Sequence, residues 1–365
     1  MKGYKLLTPG PLTTTSGVKK EMLFDRCTWD EEYKNITQKI RGQLLEIAAV
    51  SPNVYTTVLM QGSGSFGVEA VLMTCISKEE KCLIITNGAY GERMVAMAKC
   101  IGTNHVVHRV QYDMIPDAND IKNILESDIG ITHIAMVHCE TTTGILNPIQ
   151  DIADISKAYR KTLIVDAMSS FGGIEMNVQD LGIDYLISSA NKCIQGVPGF
   201  CFVVAKLEKL LKCQGNARCL SLDLYEQWKH MDQDGKWRYT SPTHVVAAFS
   251  KALDELAEEG GVFARSKRYE SNSRLLRGKL KDIGIVSYIK EAFQSPIITT
   301  FRFPREDFEF NTFYHHVKER GFVLYPGKLT DVDTFRIGNI GEIYEQDILQ
   351  LCDIIKGYVR ASIDE

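Results

Sequence analysis

Glycine and serine residues in the segment "VLMQGSGSFGVEAVL" could hold a phosphate group. Gly62, Gly64 and Gly67 have the G-x-G-x-x-G spacing of a ligand-binding turn between a strand and a helix. Such glycines let the backbone approach a ligand, and the first amides of the following helix are unpaired donors. Ser63 and Ser65 add two hydroxyl groups. The segment predicts a phosphate site, although a tight turn without a ligand explains the same spacing.

Two larger phosphate ligands are disfavoured because the residues they require are missing. A dinucleotide site needs an acidic residue after the next strand to bind the ribose, but "CLIIT" is followed by Asn87. Glu79 and Glu80 precede that strand and fall on the wrong side of the sheet. The G-K-[ST] of a nucleoside triphosphate loop is also absent from this stretch. A single phosphomonoester remains the favoured ligand.

Two further residues with reactive side chains follow predicted strands. Asp166 comes directly after the apolar run "TLIV", and Lys192 follows "YLISSAN" in a small, polar loop. Ligands bind at the carboxyl ends of strands in open α/β sheets, so both side chains are candidates for a shared site. The alternatives are an aspartate that only caps a turn and a lysine that only lies on the surface.

Together, the phosphate loop, the aspartate and the lysine predict a site for pyridoxal phosphate. The phosphate would lie at the helix start, and Asp166 would pair with the protonated pyridine nitrogen. Lys192 would bond covalently to the aldehyde. Each signal alone is weak, and their common position at strand ends carries the prediction.

Several segments resemble one family of known enzymes over almost the whole chain. They are similar to the class V branch of fold-type I, pyridoxal-phosphate-dependent aminotransferases. The segments that carry this resemblance are "LLTPGPLTT", "QGSGSFGVEA", "NGAYGERM", "HCETTTG", "IVDAMSSFGG", "SSANKCIQGVPG", "SPTH" and "FRIGNIGE".

The resemblance assigns roles to the residues that would contact the cofactor. The family's lysine that bonds to the cofactor corresponds to Lys192, and the family's aspartate at the ring nitrogen corresponds to Asp166. The family's phosphate loop corresponds to Ser63, Gly64 and Ser65. An aromatic residue that stacks on the cofactor ring corresponds to Tyr90. The alternative for Tyr90 is an ordinary core aromatic.

Three further residues are assigned to the cofactor by resemblance. Thr142 or Thr143 in "HCETTTG" would donate a hydrogen bond to the cofactor or substrate, and we favour Thr143. The same run is also a plausible turn. Tyr239 and Thr240 match a segment that reaches the cofactor phosphate of the neighbouring subunit in family dimers. The resemblance therefore implies a homodimer with shared active sites.

The substrates implied by the resemblance are small anions. Within the family, the segments are most similar to enzymes that move the amino group of 2-aminoethylphosphonate to pyruvate. Arg336 would bind the substrate carboxylate with two parallel hydrogen bonds, unless it only forms a surface ion pair. Thr8 and Gly10 would contact the substrate from the N-terminal segment. Arg26 and Arg93 are weaker candidates for binding the phosphonate.

Positioning these residues requires an α/β fold with a mostly parallel sheet. Short apolar runs alternate with helical patterns through the middle of the chain, and the runs show no polar alternation, so we expect both faces to be buried. After residue 245 the pattern becomes a mixture of helices and strands, including "GIVSYI" and "IITTFRF". We predict a large cofactor domain at 15–255, and a smaller α+β domain formed by 1–14 and 256–365.

Composition excludes other classes of protein. A net charge of −4 over 365 residues gives no reason to expect nucleic acid as a partner, and no apolar run suits a membrane span. The ten cysteines show neither C-x-x-C spacing nor a zinc-like cluster, so no metal is expected. Their positions in apolar strands, and an N-terminus without a signal-peptide core, predict a cytoplasmic protein.

Four other functions remain as alternatives. The nearest is another class V enzyme, such as an alanine–glyoxylate or serine–pyruvate aminotransferase. A cysteine desulfurase is disfavoured because Asn191 replaces the histidine expected before the lysine. A dinucleotide oxidoreductase lacks its acidic residue. A ligand-binding protein without catalysis is disfavoured by the presence of Lys192, Asp166 and Arg336.

Overall fold

A seven-stranded sheet with helices on both faces forms the centre of the protein. The computed structural model describes residues 3–327, 329 and 332–361. In chain order the strands are β1 (Lys5–Leu6), β2 (Tyr55–Gln61), β3 (Lys81–Thr86), β4 (Asn104–Arg109), β5 (Ile131–Val137), β6 (Cys139–Glu140), β7 (Ile145–Leu146), β8 (Thr162–Asp166), β9 (Tyr185–Ser189), β10 (Phe200–Lys206), β11 (Ile298–Arg302), β12 (Phe322–Val323), β13 (Tyr325–Pro326) and β14 (Thr334–Gly338). The helices are α1 (Ser16–Glu21), α2 (Glu31–Ile47), α3 (Gly64–Cys75), α4 (Ala89–Ile101), α5 (Ala118–Ser127), α6 (Ile149–Ala158), α7 (Val178–Leu181), α8 (Leu207–Leu211), α9 (Leu224–Asp234), α10 (Thr243–Glu258), α11 (Gly261–Lys281), α12 (Phe310–Glu319) and α13 (Glu345–Ala361).

The central sheet is mostly parallel, as the alternation of apolar runs and helices predicts. Its strand order is β2-β10-β9-β8-β5-β3-β4. The pairs β3–β4, β3–β5, β5–β8 and β8–β9 are parallel, whereas β10 runs antiparallel to both of its neighbours, β9 and β2. Because two reversals cancel, β2 points the same way as β9. The carboxyl ends of all strands except β10 therefore lie at one edge.

Apolar side chains fill both faces of this sheet. In β2, Val58 and Met60 belong to the core on the side of α3 and α4, while Leu59 belongs to the core on the side of α2 and α10. This alternation explains why the apolar runs are continuous rather than spaced by polar residues. The edge strand β4 is the exception, since its residues are only half-buried or exposed. The expectation that both faces are buried is wrong for that strand, which has a neighbour on one side only.

A second group of elements from the C-terminal part forms a smaller sheet with its own core. Strands β11, β14 and β13 pair in that order, and the N-terminal β1 pairs in parallel with β12. Helix α10 continues to Glu258, past the predicted boundary at 255. The helix ends in a turn at Gly260, before α11, and the division into 15–255 with 1–14 and 256–365 stays a prediction.

One predicted strand does not form. The segment "GIVSYI" contributes only an isolated bridge between Ser287 and Phe301. Its residues follow the end of α11 and pack beside β11 without extending the smaller sheet. Among the helices that the structure describes, none has both the length and the apolar character needed to cross a membrane.

Candidate active site

A cavity of about 220 Å³ lies at the carboxyl-terminal edge of the central sheet. Its walls come from the glycine loop, the start of α4, and the residues that follow β5, β8 and β9. Six of the predicted site residues line it together: Ser63, Gly64, Ser65, Tyr90, Asp166 and Lys192. Chain segments far apart in sequence thus converge where strand ends and helix starts meet.

Asp166 presents a buried carboxylate to this cavity. It is the last residue of β8 and pairs in register with Val137 of β5 and Ile187 of β9. One carboxylate oxygen accepts a hydrogen bond of 2.9 Å from the backbone amide of Met168. Burial raises the pKa of Asp166 to about 6, against the lowering effect of that hydrogen bond. A carboxylate in this setting is stabilised by a cationic partner, which a protonated pyridine nitrogen would provide.

Lys192 reaches the same cavity from the loop after β9. Its Nζ donates a hydrogen bond of 2.6 Å to the carbonyl oxygen of Pro9. Burial lowers its pKa, while nearby groups including Tyr90 and Asp166 act in the opposite direction. A lysine with a lowered pKa is more readily neutral, and a neutral amine is the form that attacks an aldehyde or accepts a proton.

The N-terminal segment packs directly on this lysine. A Cβ atom added to Gly10 would lie 2.8 Å from Cδ of Lys192, and Gly10 has a φ of +115°. The buried hydroxyl of Thr8 donates to the carbonyl of Pro11 and accepts from the amide of Gly10 at 3.3 Å. Thr8 and Gly10 therefore organise the chain beside the amine, and their contact with substrate stays a prediction.

The glycine loop combines packing with an exposed helix start. Gly62 has a φ of +105°, which allows the turn, and a Cβ at Gly67 would lie 2.9 Å from Sγ of Cys201, so Gly67 allows α3 to pack on the sheet. Ser63 is the N-cap residue of α3, and its side chain makes no capping hydrogen bond. The first amides of the helix, at Gly64 and Ser65, have no intrahelical partner and border the cavity. That arrangement suits a phosphate.

Arg93 adds a positive charge beside this loop. Its guanidinium lies over the ring of Tyr90 at 4.9 Å from the ring centroid. Its Nη1 donates to Oγ of Ser65 at 3.3 Å. Because Arg93 is exposed and also lines the cavity, it lies where the cavity opens to solvent. Arg26, the other weaker candidate for phosphonate binding, pairs with Glu21 at 2.7 Å and does not line the cavity.

Arg336 is held inside the protein with an unusual set of partners. It lies in β14 and is 3% exposed. Its Nε donates to the carbonyl of Pro326 at 3.0 Å, and its Nη1 donates to the carbonyl of Thr141 at 2.9 Å. No carboxylate in the described part of the chain forms an ion pair with it. Among the described residues, the guanidinium is a buried cation that donates hydrogen bonds to neutral carbonyls, and the surface ion pair considered from the sequence does not occur there.

Arg336 does not line the cavity, but its charge interacts with groups at and beside the start of α4. Burial lowers its pKa, and Tyr90 and Glu140 are among the groups that counteract this effect. A buried guanidinium without a direct anionic partner favours binding of an anion, because the anion compensates for lost hydration. The burial and charge of Arg336 suit the predicted role of anchoring a carboxylate or phosphonate, and that role stays a prediction.

Three of the residues predicted to bind the cofactor are not brought to the cavity of their own chain. Thr143 is fully buried, and its hydroxyl has no hydrogen-bond partner among the described residues. Tyr239 is 43% exposed and Thr240 is exposed as well. The hydroxyl of Tyr239 makes only a long contact, 3.5 Å, with the carbonyl of Leu220. The contact of these three residues with a cofactor stays a prediction.

The cavity also contains residues that sequence reasoning did not single out. Among them are Val137, Cys139, Met168, Ser189 and Asn191. All lie at or just after the ends of β5, β8 and β9, so the rule about strand ends could have found them. Met168 packs tightly against the glycine loop, since a Cβ on Gly64 would lie 2.2 Å from the Met168 side chain. It covers the glycine loop from the side of Asp166.

The donor set of the cavity fits pyridoxal phosphate. An amine, a buried carboxylate, a helix start with unpaired amides and an aromatic ring surround one space, and they match the aldehyde, pyridine nitrogen, phosphate and ring of that cofactor. Within the described residues, no group of three or more histidine, cysteine, aspartate or glutamate side chains is arranged to hold a metal ion.

Comparison with known proteins gives the family. The family model described as aminotransferase class-V matches residues 27–362. The chain belongs to the class-V aminotransferases. A relative from Lysinibacillus sphaericus (strain C3-41), named 2-aminoethylphosphonate–pyruvate transaminase, is 62% identical over 365 residues and covers 100% of both chains. A relative of the same name from Bacillus cereus is 56% identical over 358 residues, 98% of each chain.

Solved structures confirm the predicted fold class. Pyridoxamine–pyruvate aminotransferase from Mesorhizobium loti superimposes with a TM-score of 0.91 at 21% identity, covering 100% of this chain and 94% of that one. Ureidoglycine–glyoxylate aminotransferase from Bacillus subtilis gives a TM-score of 0.91 at 20% identity, with 100% and 95% coverage. At such low identity the likeness concerns the fold alone.

Proposed function

We propose that the protein is a pyridoxal-phosphate-dependent aminotransferase that moves the amino group of 2-aminoethylphosphonate to pyruvate, giving phosphonoacetaldehyde and L-alanine. The observation that carries the chemistry is the meeting of Lys192, Asp166 and the start of α3 around one cavity. The substrate assignment is supported by full-length relatives of that name at 56–62% identity.

The cofactor would be held by residues that already face the cavity. Lys192 would bond to the aldehyde, Asp166 would face the ring nitrogen, and the 63–65 loop would bind the phosphate. Tyr90 would stack on the ring. When bound, pyridoxal phosphate supplies an electron-withdrawing ring that stabilises negative charge on the carbon next to the substrate's amine.

Lys192 has the properties of the proton carrier in such a reaction. Its Nζ would accept the proton from the carbon that bears the substrate's amino group and would hold that proton for return later in the reaction. The pKa lowered by burial keeps a larger fraction of the amine in the neutral, proton-accepting form. Asp166 would favour the protonated form of the pyridine nitrogen, because its carboxylate places a negative charge in a buried site.

Arg336 would serve both substrates through their anionic groups. The carboxylate of pyruvate and the phosphonate of 2-aminoethylphosphonate each accept two hydrogen bonds in a geometry that a guanidinium matches. The carbonyls of Pro326 and Thr141 hold Nε and Nη1, so the orientation of the group is fixed before a substrate arrives. Such preorganisation lowers the entropic cost of binding.

A second copy of the chain would complete each active site, in a cytoplasmic homodimer. Tyr239 and Thr240 lie on the surface rather than at their own cavity, as expected of residues that reach a neighbour. Leu220, which contacts Tyr239, is 72% exposed, and Phe66 beside the glycine loop is 48% exposed. Exposed apolar groups near a site favour coverage by a partner.

The proposal is tested by assaying amino-group transfer with defined donors. Purified protein with pyridoxal phosphate and pyruvate is given 2-aminoethylphosphonate, serine or no donor, and L-alanine is measured. A parallel reaction contains alanine and glyoxylate, the substrates of the nearest alternative. We expect alanine only with 2-aminoethylphosphonate. Rapid glycine formation from glyoxylate, with no alanine formed from the phosphonate, would replace the proposal with that alternative.

A further inference from the structure

Glu140 is a fully buried carboxylate that none of the proposed steps uses. It lies at the end of β6 in the segment "HCETTTG" and is 0% exposed. Within the described residues, no lysine, arginine or histidine forms an ion pair with it. A buried carboxylate without a cation is costly unless hydrogen bonds compensate. The partners of its two oxygens are therefore informative.

Both oxygens of Glu140 are fully engaged, and one of them is directed at the start of α4. Oε2 accepts from the backbone amides of Tyr90 at 3.1 Å and Gly91 at 3.2 Å. Oε1 accepts from the amide of Thr142 at 3.1 Å and from its hydroxyl at 2.5 Å. The Thr142 hydroxyl in turn accepts from the amide of Ala89 at 3.0 Å. Glu140 and Thr142 together bind the first three amides of the helix.

These contacts replace a cap that α4 does not have in its own sequence. Its N-cap residue is Gly88, which has no side chain. A Cβ at Gly88 would lie 2.3 Å from Cγ of Glu140, so the glycine is what allows the carboxylate to come this close. A negative charge at a helix start is also favoured by the helix dipole. The result is a rigid connection between β6 and the first turn of α4, which carries Tyr90.

The neighbouring residue of the same segment holds Arg336. The carbonyl oxygen of Thr141 accepts from Nη1 of Arg336 at 2.9 Å. Burial lowers the pKa of that guanidinium, and Glu140 is among the groups that oppose the shift. One short stretch, Glu140–Thr142, therefore contacts both the helix turn that carries the proposed stacking ring and the proposed anion-binding arginine.

We propose that Glu140 is a positioning residue that fixes Tyr90 against the cofactor ring and, through Thr141, fixes the anion-binding Arg336 relative to that ring. The inference rests on the proposed function, because it assigns Glu140 a role through groups that would touch cofactor and substrate. It makes the strength of cofactor binding depend on a side chain that lies behind the cavity wall.

The central experiment compares Glu140→Gln with a matched buried carboxylate elsewhere. Glutamine keeps the size of the side chain but replaces one acceptor oxygen with a donor that faces other donors. The control is Asp184→Asn, since Asp184 is also buried and accepts a backbone hydrogen bond, from the amide of Leu163 at 2.9 Å. Cofactor affinity is measured by titrating cofactor-depleted protein with pyridoxal phosphate and following absorbance. Melting temperature and the KM for pyruvate are measured on the same samples.

We expect Glu140→Gln to weaken cofactor affinity about tenfold, which corresponds to one poorly satisfied buried hydrogen bond. The KM for pyruvate should also rise. Asp184→Asn should lower the melting temperature while leaving both quantities unchanged. Equal effects of the two variants on melting temperature, with no change of cofactor affinity in either, would mean that Glu140 only stabilises the fold and would overturn the inference.

A double-mutant cycle with Tyr90→Leu tests whether Glu140 acts through the ring. If it does, Glu140→Gln should cost much less cofactor affinity in the Tyr90→Leu background than in the wild type. Additive losses would contradict the inference. If Glu140→Gln does not fold, Gly88→Ala places a Cβ 2.3 Å from Cγ of Glu140, displaces the carboxylate from the helix start and should show the same pattern. A wild-type protein that binds no pyridoxal phosphate would instead refute the proposed function.

Discussion

At the residue scale, Asp166 shows that the site is built at the expense of stability. Burial raises its pKa to about 6, well above its ordinary value of 3.8. The folded protein therefore holds the proton of Asp166 more tightly than the unfolded chain does. Its contribution to stability is present below pH 4 and is lost as the pH rises through 6. A cationic cofactor nitrogen would remove this penalty.

Replacing Asp166 with asparagine should therefore stabilise the cofactor-free protein while damaging function. At pH 7.5 we expect a higher free energy of unfolding, by about 3 kcal/mol at most, from the shift of the pKa. The gain should shrink as the pH is lowered toward 4, because the wild-type carboxyl is then protonated. Urea unfolding of the wild type and the variant at several pH values measures this difference in the free energy of unfolding. A pH-independent difference would mean that burial of the charge is not its cause.

Arg336 gives a second prediction at this scale. Arg336→Lys keeps the positive charge but cannot make two parallel hydrogen bonds to one anion. We expect the KM for pyruvate to rise at least tenfold in the lysine variant and further in Arg336→Ala, with a smaller change of kcat. Steady-state kinetics at fixed 2-aminoethylphosphonate would show this. A wild-type KM in the lysine variant would mean that Arg336 contributes to pyruvate binding through its charge alone and not through two parallel hydrogen bonds.

Residue types and strand ends were sufficient to place Asp166 and Lys192 at one edge of the sheet, but not to predict the residues that support the site. Asp166 directly follows an apolar run and Lys192 lies in the short polar loop after another, so their positions at the sheet edge could be inferred. Glu140 could not be understood in this way, because its partners at 90 and 91 are backbone amides, which leave no trace in the sequence. The environment of Arg336 likewise depends on carbonyls from distant segments.

At the element scale, the N-terminal segment should control the position of Lys192. Gly10→Ala would force a Cβ to within 2.8 Å of Cδ of Lys192, at a φ of +115° that alanine rarely adopts. We expect kcat to fall by up to about 100-fold, the order of loss that follows from displacing a reacting group by about 1 Å. Gly3→Ala is the matched control, since no atom lies within 4 Å of an added Cβ there. Similar activities of the two variants would refute the proposed control of Lys192.

The order of elements was predictable where helices and strands alternate, and less so elsewhere. The apolar runs from β2 to β10 are strands, but nothing in the run "FCFVVA" distinguishes a parallel from an antiparallel strand. The direction of β10 depends on the path of the loop that joins it to β9, and β10 pairs antiparallel with β9. The segment "GIVSYI" has strand-like composition, yet only Ser287 forms a bridge. Backbone pairing depends on the neighbour that tertiary structure provides, which a local pattern does not contain.

At the scale of the whole molecule, the exposed position of Tyr239 and Thr240 leads to a test of shared active sites. One chain carries Lys192→Ala, and the other carries Tyr239→Phe with Thr240→Val. In a mixed dimer, the chain that keeps Lys192 would receive an intact Tyr239 and Thr240 from its partner. If each site uses the partner's residues, one site per dimer is complete.

We therefore expect the mixed dimer, purified with two different affinity tags, to recover about half of the wild-type activity, since a two-fold symmetric dimer has two equivalent sites. Both parent homodimers should be weak or inactive, because every one of their sites lacks a required group. The reciprocal design, with all three substitutions in one chain and a wild-type partner, should be much less active than the mixed dimer. Recovery in the reciprocal design alone would mean that Tyr239 and Thr240 serve their own chain.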